Sequence, residues 1–144
     1  MASITLVVGG KIKGSPEEAI IKNYQKRIKW PIKTVELKPC IPNPENAFEK
    51  AMQGVSLWIA LDENGDNLSS VKFSSLVSRS VEQHTHIGLI IGIDTGIPKS
   101  ILDKCHKTIS FGSMTWPHLL ARVLLVEQLY RAQQIMIGHP YHKV

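Results

Sequence analysis

Residues 87–93, Ile-Gly-Leu-Ile-Ile-Gly-Ile, form an unbroken apolar run that stops at Asp94-Thr95-Gly96. A strand without polar alternation needs cover on both faces, the condition of a central strand in a parallel sheet flanked by helices. The rest of the chain supplies strands and helices in alternation. Residues 4–8 are a β-branched run ending in Gly9-Gly10, and residues 32–37 alternate apolar and polar side chains. Residues 55–61 read as a strand stopped by the turn signal Asp62-Glu63-Asn64-Gly65, and residues 108–111 as the last strand.

Helices are predicted between these strands. The first opens at Ser15-Pro16-Glu17-Glu18, with a capping hydroxyl, a proline in the first turn and acids at the positive dipole end. It turns Ala19, Ile20, Tyr24 and Ile28 inward and ends before Pro31. Pro39, Pro42 and Pro44 lead irregularly into a second helix over 45–53. A third covers 69–83, with Val71, Leu76 and Val77 inside, a short fourth covers 98–105, and the longest covers 117–135. Five strands interleaved with helices predict one three-layer α/β/α domain, residues 1–144, with a mostly parallel sheet.

Composition narrows the function. The chain has 144 residues, 43% of them hydrophobic and 20% charged, which excludes disorder. Two cysteines, Cys40 and Cys105, are too few for a disulfide scaffold. No apolar run approaches the roughly 20 residues of a membrane helix. The first ten residues carry neither a basic leader nor a full apolar core, so a cytoplasmic protein with reduced thiols is expected. Lys and Arg number 17 against 12 for Asp and Glu, a net charge of +5 that points weakly to a polyanionic partner.

The last helix implies a second copy. Leu119, Leu120, Ala121, Val123, Leu124, Leu125, Val126, Leu129 and Tyr130 cover nearly its whole circumference, and a helix apolar all round is buried all round. A homodimer with this helix in the interface is expected; an unusually deep position within one chain is the alternative.

Four stretches bear on chemistry. Gly9-Gly10-Lys11-Ile12-Lys13-Gly14-Ser15 follows a strand and precedes a helix, as a phosphate loop does, but Ser15 stands where that loop has its lysine. Nucleotide hydrolysis is rejected in favour of a basic loop touching RNA backbone. Cys105, His139 and His142 lack the spacing of a closed metal site, so no metal is expected. Gly92-Ile93-Asp94-Thr95-Gly96 and Phe111-Gly112-Ser113-Met114-Thr115-Trp116 each follow a strand, and loops at that edge of an open α/β sheet hold small ligands. They fit an adenosine between them, or are ordinary turns. The tail His139-Pro140-Tyr141-His142-Lys143 combines two imidazoles, a phenol and an ammonium, groups that stack on a base, meet phosphate and move protons.

The segment Thr115-Trp116-Pro117-His118-Leu119-Leu120-Ala121-Arg122-Val123-Leu124-Leu125-Val126-Glu127-Gln128-Leu129-Tyr130-Arg131-Ala132, with the tail 139–143, closely resembles the bacterial large-subunit rRNA methyltransferases of the SPOUT group that modify N3 of a pseudouridine. The likeness extends to Gly9-Gly10-Lys11-Ile12-Lys13, Tyr24-Gln25-Lys26-Arg27, Leu61-Asp62 and Gly92…Gly96. It implies a small cytosolic homodimer whose C-terminal part is tied in a deep trefoil knot. By the same resemblance S-adenosyl-L-methionine binds at Leu61, Gly92, Gly96, Phe111, Gly112, Ser113, Met114, Thr115 and Trp116. The implied substrate is a pseudouridine in an inter-subunit stem-loop of 23S rRNA, on the assembled 70S ribosome. Tyr141, His142 and Arg131 are then expected at the reacting base, and Lys11, Lys13, His118, Arg122, His139 and Lys143 at RNA. The chain departs from the family in its central loop, usually Gly-Gly-Pro-Glu-Gly. Its proline is absent here and its acid stands one place earlier, at Asp94. A non-catalytic rRNA-binding factor with a degenerate methyltransferase fold, or a methyltransferase of another RNA position, is the alternative.

Overall fold

The computed structural model describes residues 2–38, 41–84, 86–93 and 95–143. Cys40 and Asp94, both noted in the sequence, lie outside the described residues. Strands β1 (Ser3–Gly9), β2 (Ile32–Leu37), β3 (Leu57–Asn67), β4 (His86–Ile91) and β5 (Lys107–Ser110) alternate with helices α1 (Glu17–Arg27), α2 (Pro44–Met52), α3 (Ser70–Gln83), α4 (Lys99–Leu102) and α5 (His118–Met136). The strands form one sheet in the order β2-β1-β4-β3-β5, every pairing parallel. The apolar run thus occupies the middle of the sheet. Its side chains divide between the two faces. Ile87, Leu89 and Ile91 join the core beneath α1, α3 and α5, while Ile90 joins Phe48, Trp58 and Ile101 beneath α2 and α4.

Gly88 sits inside β4 because Trp58 lies opposite it on β3. A Cβ there would overlap the indole ring, so the glycine leaves room for the largest side chain of that core. The turn signal at 62–65 is real, but the strand does not end there. Leu61 and Asp66 both pair with Ile109, and the four residues between them bulge out of the ladder. Gly65 permits the bulge, since a Cβ would stand 2.7 Å from the Ile109 backbone.

Two helix phases differ from expectation. In α1 the buried residue is Ile21, and Ile20 is 47% exposed. Adjacent isoleucines leave the phase undecided by periodicity, and docking on α5 selects the second. Ser15 does not cap this helix; its hydroxyl donates to the Ile12 carbonyl at 2.5 Å, and Pro16 is the N-cap. In α3 Ser69 does cap, accepting from the Lys72 amide at 3.1 Å. There Phe73, Ser74, Val77 and Ser80 face inward, while Val71 is exposed. Ser74 enters the core because its hydroxyl donates to the Ala132 carbonyl at 3.0 Å.

Helix α5 packs on α1 and α3, which bury Leu125, Val126, Leu129, Tyr130 and Ala132 within one chain. Its N-terminal half is less covered: Leu120 is exposed, and Leu119, Val123 and Leu124 are half-buried. No helix among the described residues is long and apolar enough to cross a membrane.

Candidate active site

The carboxyl ends of β3, β4 and β5 open into a cleft of about 360 Å³. Its walls are Leu61 on β3, the loop 92–96 after β4, and the loop 111–116 after β5, closed by His118 and Ala121 of α5. Of the expected cofactor residues, Leu61, Gly92, Gly96, Phe111, Gly112, Met114, Thr115 and Trp116 line this space; Ser113 does not.

The backbone of both loops is shaped by glycine. Gly96 and Gly112 have φ of +83° and +102°, and neither has an atom within 4 Å of where a Cβ would stand, so bare main chain faces open space. At Gly92 the opposite holds: a Cβ would meet the Gly96 carbonyl carbon at 2.9 Å, and the loop closes tightly on itself. Gly9 is pressed against the same loop, 2.9 Å from the Gly92 oxygen by the same measure. Gly9 therefore backs this wall. Ser110 fixes the second loop, its hydroxyl donating to the Gly112 carbonyl at 2.7 Å and accepting from the Gly112 amide at 2.9 Å.

Sequence reasoning missed the acids of the cleft. Asp62 and Glu63, in the bulge of β3, both line it, and Glu63 accepts a hydrogen bond from Thr115 Oγ1 at 3.0 Å. No lysine or arginine is among the described lining residues. Such a space suits a cation with hydroxyl groups and is unsuited to a phosphate tail.

The tail forms a second cluster. The Tyr141 hydroxyl donates to Glu127 at 2.7 Å and contacts the Tyr24 hydroxyl at 3.3 Å. Its ring stands edge-on to Tyr130, and the Arg131 guanidinium lies 4.8 Å from its centroid. Burial, together with the bonds to Tyr24 and Glu127, pushes the Tyr141 phenol well above its ordinary value. Arg131 pairs with Glu127 at 2.8 Å and donates to His142 Nδ1 at 3.1 Å. An arginine only donates, so a neutral His142 carries its proton on Nε2. Glu127 was not singled out in the sequence, although its i,i+4 spacing to Arg131 was legible there.

The two clusters are apart within one chain. At about 1.5 Å per residue, Glu127 and Arg131, which hold the tail, lie about 9 Å and about 15 Å along α5 from Ala121 at the cleft.

The expected RNA contacts divide. Lys11, Lys13, His139 and Lys143 are exposed, and His118 is half-buried at the cleft. Arg122 does not face outward. It is 3% exposed and pairs with Glu36 of β2 at 2.7 Å, so its charge serves the interior and is not open to phosphates. Burial raises the Glu36 carboxyl, but bonds from Arg122 and the Ile12 amide outweigh it and hold the group below the ordinary carboxylate range. This pair fastens the basic loop to α5.

The profile of the family described as predicted SPOUT methyltransferase matches residues 2–142. The chain belongs to the SPOUT methyltransferase family. Among the family's proteins, the ribosomal RNA large subunit methyltransferase H of Erythrobacter litoralis is 38% identical over 96% of both chains. The protein of that name from Zymomonas mobilis is 33% identical over 97% of both. The solved structure of a probable methyltransferase from Bordetella pertussis superposes with a TM-score of 0.61 at 14% identity, covering 91% of this chain and 93% of that one. The AviRb methyltransferase of Streptomyces viridochromogenes, solved with AdoMet, superposes with a TM-score of 0.51 at 14% identity, covering 94% of this chain and 61% of that one. These likenesses establish the shared fold of the SPOUT chains.

Proposed function

We propose that this SPOUT chain uses S-adenosyl-L-methionine to methylate N3 of a pseudouridine in 23S rRNA on the assembled 70S ribosome. In this reading it works as a cytoplasmic homodimer with its C-terminal segment tied in the family's trefoil knot. The observation that carries the reading is the cleft between the loops 92–96 and 111–116, with its bare glycine backbone and acidic rim. The names of the full-length relatives support rRNA as substrate.

The cofactor supplies an already activated methyl group on a cationic sulfur. The chain must therefore hold it, exclude competing nucleophiles and present the acceptor nitrogen in line. Gly96, Gly112 and the backbone beside them would hold an adenosine, and Asp62 and Glu63 would meet cationic charge or ribose hydroxyls. The tail handles the base. Tyr141 keeps its proton on Glu127, and His142 offers Nε2–H, so both are donors in this arrangement. With the Arg131 cation they stabilise the anion formed when N3 gives its proton to solvent water, rather than accepting that proton themselves. Because the tail of one chain docks on Glu127 and Arg131, about two to three turns along α5 from the Ala121 wall of its own cleft, the tail serves the cleft of the second subunit. The half-covered apolar side of α5 around Leu120 supplies the interface. Lys11, Lys13, His118, His139 and Lys143 meet RNA around the composite site.

Calorimetry with S-adenosyl-L-methionine tests the reading. Saturable binding that Gly112→Val abolishes is expected; no binding at millimolar ligand would favour a non-catalytic rRNA-binding factor.

A further inference from the structure

The amino-terminal edge of the parallel sheet, at the far ends of the strands from the cleft, gathers three of the six histidines of the chain. Each ring is anchored through Nδ1. His106 accepts there from the Trp58 amide at 3.1 Å, while its own amide donates to the Trp58 carbonyl at 2.9 Å. A backbone amide can only donate, so the neutral ring carries its proton on Nε2. His84 Nδ1 is 3.0 Å from the Ser56 hydroxyl, whose single proton goes to the His86 carbonyl at 3.0 Å. The Ser56 oxygen therefore accepts from His84. His86 Nδ1 bonds the Ser3 hydroxyl. Three imidazoles are thus held at strand ends with Nε2 turned away from their anchors.

Beside them is a pocket of about 230 Å³ lined by Arg79, His84, His106 and Lys107 over an apolar floor of Leu57, Ile59 and Leu76. No carboxylate lines it. The acids nearest in the chain are accounted for: Asp66 takes the Lys107 ammonium at 2.6 Å, and Glu82 is exposed on α3 outside the lining. Among the described residues no group of three His, Cys, Asp or Glu is arranged for a metal ion.

We infer that this edge is a second docking surface, for the phosphates of RNA, separate from the methyl-transfer cleft. The Arg79 guanidinium and the His106 Nε2–H at a small open pocket match a phosphate oxyanion in charge and in donor geometry, whereas Lys107 shares its charge with Asp66 and a neutral His84, its proton on Nδ1, donates nothing from Nε2. An extended polyanion satisfies both this pocket and the basic loop at Lys11 and Lys13 on the opposite edge, which one small anion cannot do. The inference rests on the proposal that RNA is the substrate. It adds that the protein holds RNA at two edges of its sheet, so this edge sets affinity for the substrate and leaves the chemical step alone.

The test is a titration of the full-length protein, labelled at histidine nitrogens, with a 20-base-pair RNA duplex of arbitrary sequence and separately with poly-glutamate. The expected result is that the Nε2 signal of His106 moves with RNA and remains in place with poly-glutamate. Arg79→Ala, at an exposed position, is expected to reduce the slope of log affinity against log salt by about 1. The same variant should raise KM for ribosomes while leaving kcat and cofactor affinity unchanged. An unmoved His106 signal, an unchanged slope, or equal movement with poly-glutamate would overturn the inference. Failure of the methyltransferase reading is a different result, absence of cofactor binding at the other edge, and does not alter this titration.

Discussion

Arg122 keeps its charge inside the fold because Glu36 meets it there, and removing the carboxylate leaves a buried cation without a counter-charge. Glu36→Gln is expected to cost about 3 kcal/mol in denaturant unfolding. The pH dependence follows from the lowered Glu36 value. A carboxylate held below its unfolded value contributes in full above the ordinary carboxylate range and loses that contribution as the pH falls through the folded value. The acid limb of the stability curve should therefore flatten in Glu36→Gln. Sequence alone could not reveal this burial, because the partner lies 86 residues away and a helix arginine near a cleft reads as an RNA contact. The tail was legible as a chemical cluster from its residue types, but its holder was not. Replacing Tyr141 and His142 together by Ala is expected to abolish methylation with cofactor affinity intact, and full turnover would remove the tail from the mechanism. Glu127→Gln loosens Tyr141 and Arg131 at once. Its expected effect on the methylation rate is a loss on the order of 100-fold, with the fold retained by circular dichroism.

At the scale of elements, the apolar run 87–93 was sufficient to place β4 at the centre of a parallel sheet, since nothing else in an α/β domain covers such a strand twice. The two ligand loops followed from strand ends and glycines, and the structure brings them to one cleft. What the sequence hid was continuity: β3 resumes after its turn signal, and the bulge carries Asp62 and Glu63 into the cleft. That detour depends on the close passage of Gly65 against Ile109. Gly65→Ala is expected to displace the end of β5 and weaken cofactor binding at least tenfold by calorimetry. Gly88→Ala, which collides with Trp58, should instead cost about 3 kcal/mol of stability with cofactor affinity preserved in the folded fraction. The helix phases were hidden for a simpler reason. Ile20 beside Ile21, and Val71 close to Phe73, offer two apolar faces, and only packing chooses between them.

The whole molecule has a cleft at the carboxyl end of its sheet and a tail cluster on Glu127 and Arg131, about two to three turns along α5 from the Ala121 wall of that cleft. In the proposed symmetric dimer one subunit's tail reaches the other's cleft. Mixing Gly112→Val subunits with subunits lacking Tyr141 and His142 side chains tests this arrangement. Random assortment makes half the dimers mixed, each with one intact site, so recovery of about one quarter of wild-type activity is expected; no recovery would mean each tail serves its own cleft. The net charge of +5 is small for an RNA-binding chain. The central claim is methyl transfer to a pseudouridine of 23S rRNA, and mass mapping of rRNA from a strain lacking the gene, with and without the gene restored, tests it most directly. The account predicts one methyl group on N3 of a single pseudouridine, lost in the deletion and regained on restoration; identical rRNA in both strains would contradict it.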